Sequence, residues 1–407
     1  MTDKMQESGS GFAAAPNMRM AEETERKASS APDSAVGTGY KNEEMFIDFL
    51  RTSAQEIEAA TKGCFEDFTM RVMENPFVRE ALKSLIKQNE GGKRIRGTLI
   101  KLGEQIASHG RSQNYLPVAV GYELFQTSVL IHDDIIDRSS TRRGKVTIHI
   151  ESAENIKEAQ GGKLKEEDAA HYGISRALCI GDYGFFISYQ FLAGCAVDSA
   201  VLAKIYQLYS QILAMTCEGE IMDTLLPVES ILSQNDYAAY QKTVFQIYEL
   251  KTAWYTLAGP LMLGSVCGGG DEALTDLLKQ IAIPLGIAFQ IKDDLLGIYS
   301  SDEALGKSVL SDIREGKQTI LFGAAWQKAD REQKKLLERH YGNPKADKQD
   351  LEVIRKLFEE TGAKRYAEEE IRRLSDLSRE LIQNDLIDKE YQAILYGLVS
   401  YQTGREF

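Results

Sequence analysis

Two Asp-Asp pairs lie inside apolar stretches of helical spacing, far apart in the chain. Asp133 and Asp134, with Asp137 three residues on, occur in "SVLIHDDIIDRSSTRRG", and Asp293 and Asp294 occur in "AFQIKDDLLGIY". Carboxylates set among apolar side chains are prohibitively costly unless something cationic answers them. Any fold for this chain must supply that charge at both places, and metal ions are the obvious candidate.

The surrounding pattern is helical nearly everywhere. Val118, Tyr122, Phe125, Val129, His132 and Ile136 follow steps of four and three, as do Leu202, Ile205, Tyr209, Ile212, Thr216 and Gly219. Convincing strand alternation is absent. Breaks fall near Gly91-Gly92, around Arg138 to Thr147, across the polar stretch Glu151 to Asp168, at Gly268-Gly269-Gly270, from Ser300 to Lys317 and near Gly342-Asn343-Pro344. The spacing predicts about a dozen helices, and no linker within residues 44–407 is long enough to separate a second domain. The expected fold class is all-α, a single large helical bundle with a central cleft, preceded by a disordered tail over residues 1–43 that is rich in Ser, Gly, Ala, Glu and Lys.

Composition narrows the function classes. A chain of 407 residues, 43% hydrophobic and 27% charged, can bury a large core. Its net charge of -13 argues against nonspecific binding to nucleic acid or anionic lipid, which needs a basic surface, and leaves small molecules as the expected partners. The five cysteines are scattered without C-x-x-C spacing, which favours reduced thiols and a cytoplasmic setting over a disulfide frame or zinc site. The N-terminus lacks the basic start and apolar run of a secretory signal. Leu178 to Val197 is long enough to span a bilayer, but a lone apolar segment with Asp182 inside it reads as a central helix of the bundle, so no stable membrane insertion is expected.

On a helix, residues four apart share a face, so Asp133 and Asp137 can present two carboxylates to one site while Asp134 lies about 100° around. Such a pair suits magnesium, which takes one or two carboxylates together with phosphate oxygens and water. A lone D-D-x-x-D is usually a solvated helix turn; here Val129, Leu130, Ile131, Ile135 and Ile136 place it at the edge of a core. Basic residues follow at Arg142-Arg143-Gly144-Lys145, and Lys93, Arg94 and Arg96 lie upstream in "GGKRIRG". A basic turn alone is more often surface decoration, yet beside two acidic clusters these residues read as a diphosphate pocket. The second cluster repeats the pattern, with Lys307, Arg314 and Lys317 following Asp293 and Asp294. Diphosphate is a leaving group, and metals that neutralise its developing charge ease C–O cleavage. If the carbon is allylic, the product is a carbocation.

The ordered series GGKRIRG, YELFQ, DDIID, RRGKVTIH, GDYGF, YELKTAWY, FQIKDDLLGIY and GKSVLSDIREGK, from about residue 88 to 320, strongly resembles the trans-type polyprenyl diphosphate synthases. The resemblance implies an isoprenoid synthase-like fold. It also implies condensation of isopentenyl diphosphate with an allylic diphosphate, three magnesium ions per site and a homodimer. It assigns metal binding to Asp133, Asp134 and Asp137 and to Asp293 and Asp294, the first cluster anchoring two ions and the second one. Lys93, Arg96 and Arg143 match positions holding the isopentenyl diphosphate, with Gln126 where relatives have His or Gln. Arg142, Lys251 and Lys307 match contacts to the allylic diphosphate, with Lys317 at the rim of the site. Thr252 and Gln290 match residues beside the reacting carbons.

Two departures stand out. The third acid of the second motif is commonly Asp and is Gly297 here, and the polar stretch from Glu151 to Asp168 is longer than usual and is expected to form a mobile surface loop. Product length follows from which residues line the path of the growing tail. Those four, five, eight and eleven before Asp133 are Val129, Ser128, Phe125 and Tyr122. Relatives that stop at fifteen carbons often place bulky aromatics four and five before the motif, whereas Ser128 and Val129 are small. The tail is expected to pass that level and meet Phe125 and Tyr122, which favours geranylgeranyl diphosphate; if those aromatics are ordinary core packing, the floor lies elsewhere and farnesyl or longer products remain open. A class I terpene cyclase would need an N-D-x-x-S-x-x-x-E motif that Asn235-Asp236-Tyr237 does not begin. A noncatalytic subunit of a heteromeric synthase usually lacks one aspartate motif, and this chain carries the pair in both.

Overall fold

The structure is a computed structural model that describes residues 34–72, 75–226, 236–301 and 308–404. Among these the chain is helical almost throughout: α1 (Ser34–Val72), α2 (Pro76–Asn89), α3 (Ile95–Ser108), α4 (Leu116–Ile136), α5 (Ile148–Ala159), α6 (Glu166–Leu192), α7 (Ser199–Leu225), α8 (Tyr237–Ile247), α9 (Gly259–Cys267) and α10 (Glu272–Tyr299). A π-helical segment, Tyr248–Ala258, joins α8 to α9 without a break. Helices Ser311–Glu315, Ile320–Lys328, Arg331–His340, Lys348–Glu360, Ala363–Ile382 and Lys389–Thr403 complete the described chain. A small hairpin pairs Thr141–Arg142 with Lys145–Val146.

Local chemistry sets several of the boundaries. Asn75 caps α2 through the amides of Phe77 and Val78, with Pro76 at the first turn, where its missing N–H costs nothing. Asp271 caps α10 through Leu274. Asp330 and Asp347 each form a capping box with the residue three positions on. The first helix begins at Ser34, nine residues before the boundary that composition sets for the tail. The polar stretch from Glu151 to Asp168 is not a loop: most of it is α5 and the first turn of α6, joined by a turn over residues 160–165. Ile148, His149 and Ser152 are the buried residues of α5, which packs on α6; only Ile148 among them is apolar, so no hydrophobic stripe marks the helix among the surrounding charges.

α4 packs on α6, α3 on α9, and α10 on both the π segment and the helix Ala363–Ile382. The α3–α9 contact is tight because Gly103 and Gly264 carry no side chain: a Cβ on Gly103 would fall 2.2 Å from the Leu261 carbonyl oxygen, and one on Gly264 2.0 Å from that of Ile100. No described helix is long and apolar enough to cross a membrane. The candidate stretch from Leu178 breaks where α6 ends at Leu192, and all five cysteines are free thiols.

Candidate active site

One cavity of about 940 Å³ opens between α4, α7, α10 and the π segment. Lys93, Arg96, Val129, Asp133, Asp137, Lys251, Thr252, Gln290, Asp293 and Lys317 all lie on its wall, so the two aspartate helices face each other across it. Seven carboxylates and four cationic side chains line the space among the described residues, an excess of negative charge in a partly enclosed volume.

The second aspartate of each pair points away from the cavity. Asp134 is buried and accepts a hydrogen bond from Arg142 Nε at 2.5 Å, while Arg142 Nη2 reaches Asp133 at 2.7 Å. Burial pushes the Asp134 carboxyl up to about 6 despite the guanidinium beside it. Asp294 is likewise buried; it accepts from the Tyr248 hydroxyl, from Gln290 Nε2 at 3.0 Å and from Lys317 Nζ at 3.3 Å. Burial raises its carboxyl in spite of those donors. Both residues therefore position their neighbours, and of the five motif aspartates those on the cavity wall are Asp133, Asp137 and Asp293.

Acids that the spacing did not single out sit among them. Glu220 and Asp223 on α7 lie 2.9 and 2.6 Å from Lys251 Nζ. Burial opposes the Lys251 charge, but Asp223, Glu220 and Asp133 outweigh it and hold its pKa above the ordinary range. The signal was present in "EGEIMD", a glycine and two acids on one face of an otherwise apolar helix. Asp312, from the segment after α10, lies over Gly297, where a Cβ would fall 2.3 Å from Asp312 Oδ2. A carboxylate thus occupies the place of the missing third acid, delivered from another part of the chain. Thr252 donates to Gln290 Oε1 at 2.7 Å, which links the π segment to α10.

The basic residues divide between two hollows. Arg142 and Arg143 line a smaller one of about 260 Å³ with Gly91, Gly92 and Lys145, next to the main cavity's Lys93 and Arg96. Gly92 permits this arrangement, since a Cβ there would lie 2.9 Å from Arg143 Nη1 and its φ is +91°. Arg94 is not available to a ligand. Its side chain turns inward, bonding Glu58 at 2.5 Å and the Asn89 carbonyl at 2.7 Å, with Glu123 3.6 Å away. Gln126 is half-buried and lies on neither wall. Lys307 falls outside the described residues.

The residues expected along the tail also separate. Val129 is on the cavity wall, but Ser128 is fully buried against α6, where a Cβ on Gly184 would lie 2.2 Å from its Oγ. Phe125 and Tyr122 lie deeper, buried in an aromatic cluster with Tyr209 and Tyr255. Tyr255 reaches the cavity wall, with the Arg96 guanidinium 4.0 Å from its ring centre.

The donor set fits magnesium. It consists of carboxylate oxygens, and no three acidic, histidine or cysteine side chains among the described residues converge on one point, so an ion held here would be completed by phosphate oxygens and water.

Comparison with known proteins identifies the family. The polyprenyl synthetase family model matches residues 75–359, well over half of the chain. A geranylgeranyl diphosphate synthase of Saccharolobus solfataricus is 28% identical over 311 residues, covering 75% of this chain and 85% of that protein. A geranylfarnesyl diphosphate synthase of Aeropyrum pernix is 27% identical, covering 76% and 89%. Among solved structures, a geranylgeranyl pyrophosphate synthase from Corynebacterium glutamicum, complexed with isoprenyl diphosphate and magnesium, superposes with a TM-score of 0.78 at 28% identity, covering 86% of this chain and 98% of that one. The chain belongs to the polyprenyl synthetase family and is a prenyltransferase.

Proposed function

We propose that the protein elongates an allylic diphosphate with isopentenyl diphosphate to geranylgeranyl diphosphate, using three magnesium ions per site. The observation that carries this reading is the larger cavity, with Asp133 and Asp137 on one wall, Asp293 on another, and the apolar Val129 and Leu130 beside the first pair. Geranylgeranyl diphosphate is the product named for the Saccharolobus and Corynebacterium relatives.

Asp133, Asp137 and Asp293 would hold the magnesium, which neutralises charge on the departing diphosphate. Lys251 and Lys317, kept charged by surrounding acids, meet the same diphosphate from the other sides. As the C–O bond breaks, the positive charge on the allylic carbon faces the oxygens of Thr252 and Gln290. Lys93, Arg96 and Arg143 fix the isopentenyl diphosphate so that its double bond attacks that carbon. Its proton then leaves to the departed diphosphate.

We also propose a homodimer formed through α6 and α7. Phe186 on α6 and Ile221 and Leu225 on α7 are 70%, 59% and 52% exposed, apolar side chains that such an interface would cover. Light scattering of the purified protein at twice the chain mass is the expected result.

Purified protein supplied with magnesium, isopentenyl diphosphate and farnesyl diphosphate is expected to release pyrophosphate and form a twenty-carbon product by mass spectrometry. Failure to elongate any allylic primer would overturn the reading. Asp133→Ala and Asp293→Ala are each expected to remove most turnover while circular dichroism retains the helical signal.

A further inference from the structure

The buried positions of α7, Ile205, Tyr209, Ile212, Thr216 and Gly219, recur at steps of four and three and form one inward stripe. Thr216 lies on the cavity wall, and Tyr209 lies two turns farther from the acids, about 10 Å along the helix. On α4, Val129 is on the wall and Phe125 lies one turn deeper. Neither Tyr209 nor Phe125 is on the wall: the open space stops at Val129, Leu130, Thr216 and Tyr255.

Aromatic rings from four elements fill the region where it stops. The Tyr209 ring centre lies 5.7 Å from Phe125, 5.9 Å from Tyr122 and 5.0 Å from Tyr189, each at a steep angle. Phe125 meets Tyr255 and Phe185 on its other sides but has no polar anchor of its own. Tyr209 has one. Its hydroxyl donates to Ser188 Oγ at 2.7 Å, and Ser188 donates in turn to the Phe185 carbonyl at 2.5 Å. This relay ties the ring on α7 to the backbone of α6. A buried hydroxyl that leaves such a partner loses its hydrogen bond, so the ring cannot swing aside without cost.

We propose that Tyr209, anchored by Ser188, is a residue that determines product length by holding the aromatic plug against the growing tail. The inference rests on the elongation reading. The residues just upstream of Asp133 would then shape the path, with the stop set from α7.

The test is product analysis by mass spectrometry with farnesyl and geranylgeranyl diphosphates as primers. Tyr209→Ala is expected to shift the main product by at least one five-carbon unit and to make geranylgeranyl diphosphate a usable primer. Tyr209→Phe keeps the ring and loses only the hydroxyl, so it is expected to retain the parent's main product with a minor longer fraction. Tyr209→Leu and Ser188→Ala, checked by thermal melting, decide the matter should Tyr209→Ala fail to fold. Wild-type elongation with an unchanged product spectrum in the folded variants would overturn the role of Tyr209 alone. Absence of elongation by the wild type would overturn the elongation reading.

Discussion

Gly219→Ala isolates the link between packing and catalysis. Gly219 on α7 faces the backbone of the π segment, and a Cβ added there would fall 2.4 Å from Lys251 N and 2.8 Å from its Cα. Ordinary contact begins at 3.4 Å, so the two elements must part by about 1 Å, and no flexible side-chain end is present to yield instead. The stability terms oppose one another. Overpacking costs about 1–3 kcal/mol, while replacing a helical glycine by alanine returns about 1 kcal/mol. The protein is expected to stay folded with a modestly lowered melting temperature. Catalysis has no such compensation, because Lys251 and Thr252 ride on the displaced backbone, and a misplacement of that size costs about 100-fold in rate. Initial rates of pyrophosphate release, measured beside thermal melts, test this. Gly63→Ala on α1 is the control, since nothing lies within 4 Å of its added Cβ. If folded Gly219→Ala turned over within a few-fold of the parent, the tight approach at Gly219 would not be what positions Lys251.

Val129→Phe adds a ring to the cavity wall above the aromatic plug and is expected to shorten the main product, read by mass spectrometry. Ser128→Phe is expected to destabilise the protein rather than meter the tail, because its side chain meets Gly184 of α6; a stable variant with a clean shift to shorter product would refute that placement. Glu104 is fully buried, accepts from Ser112 and Asn114, and has one carboxylate oxygen without a hydrogen-bond partner. Burial raises its pKa above the ordinary value, so the folded state is penalised once pH exceeds the folded pKa and is not penalised below the unfolded one. Glu104→Gln is therefore expected to melt higher than the parent at neutral pH, with the difference vanishing in acid; an advantage that persists in acid would assign it to packing.

Local chemistry made the aspartate helices legible. Charges inside an apolar run are anomalous wherever the run folds, so Asp133, Asp137 and Asp293 stood out without knowledge of their neighbours. The orientation of Ser128 did not. α4 is buried at most positions from Val118 to Ser128, so it shows no polar face from which to judge which of two adjacent residues meets the cleft. Arg94 read as a ligand contact because its partners Glu58 and Glu123 are distant in sequence. Asp312 over Gly297 was hidden for the same reason, and no local pattern marks the wider turns from Tyr248 to Ala258. The helix within residues 151–168 was hidden for another reason, since its buried face holds Ile148, His149 and Ser152 and so carries almost no hydrophobic signal among the charges.

Those wider turns make residue count, and not only residue identity, a property of the site. Lys251 and Thr252 face the cavity, while Gly264, later in the same unbroken helical run, must present its bare face to α3. Removing one residue between them would turn α9 by about 100° relative to the lysine, bringing side chains onto the seam where Ile100 now touches glycine. Substitutions in that interval can be absorbed one at a time; an insertion or deletion cannot, because it unlocks either the cavity lysine or the seam. The interval from Lys251 to Gly264 therefore works as a fixed gauge, and its length is expected to stay constant even where every side chain between its ends has changed.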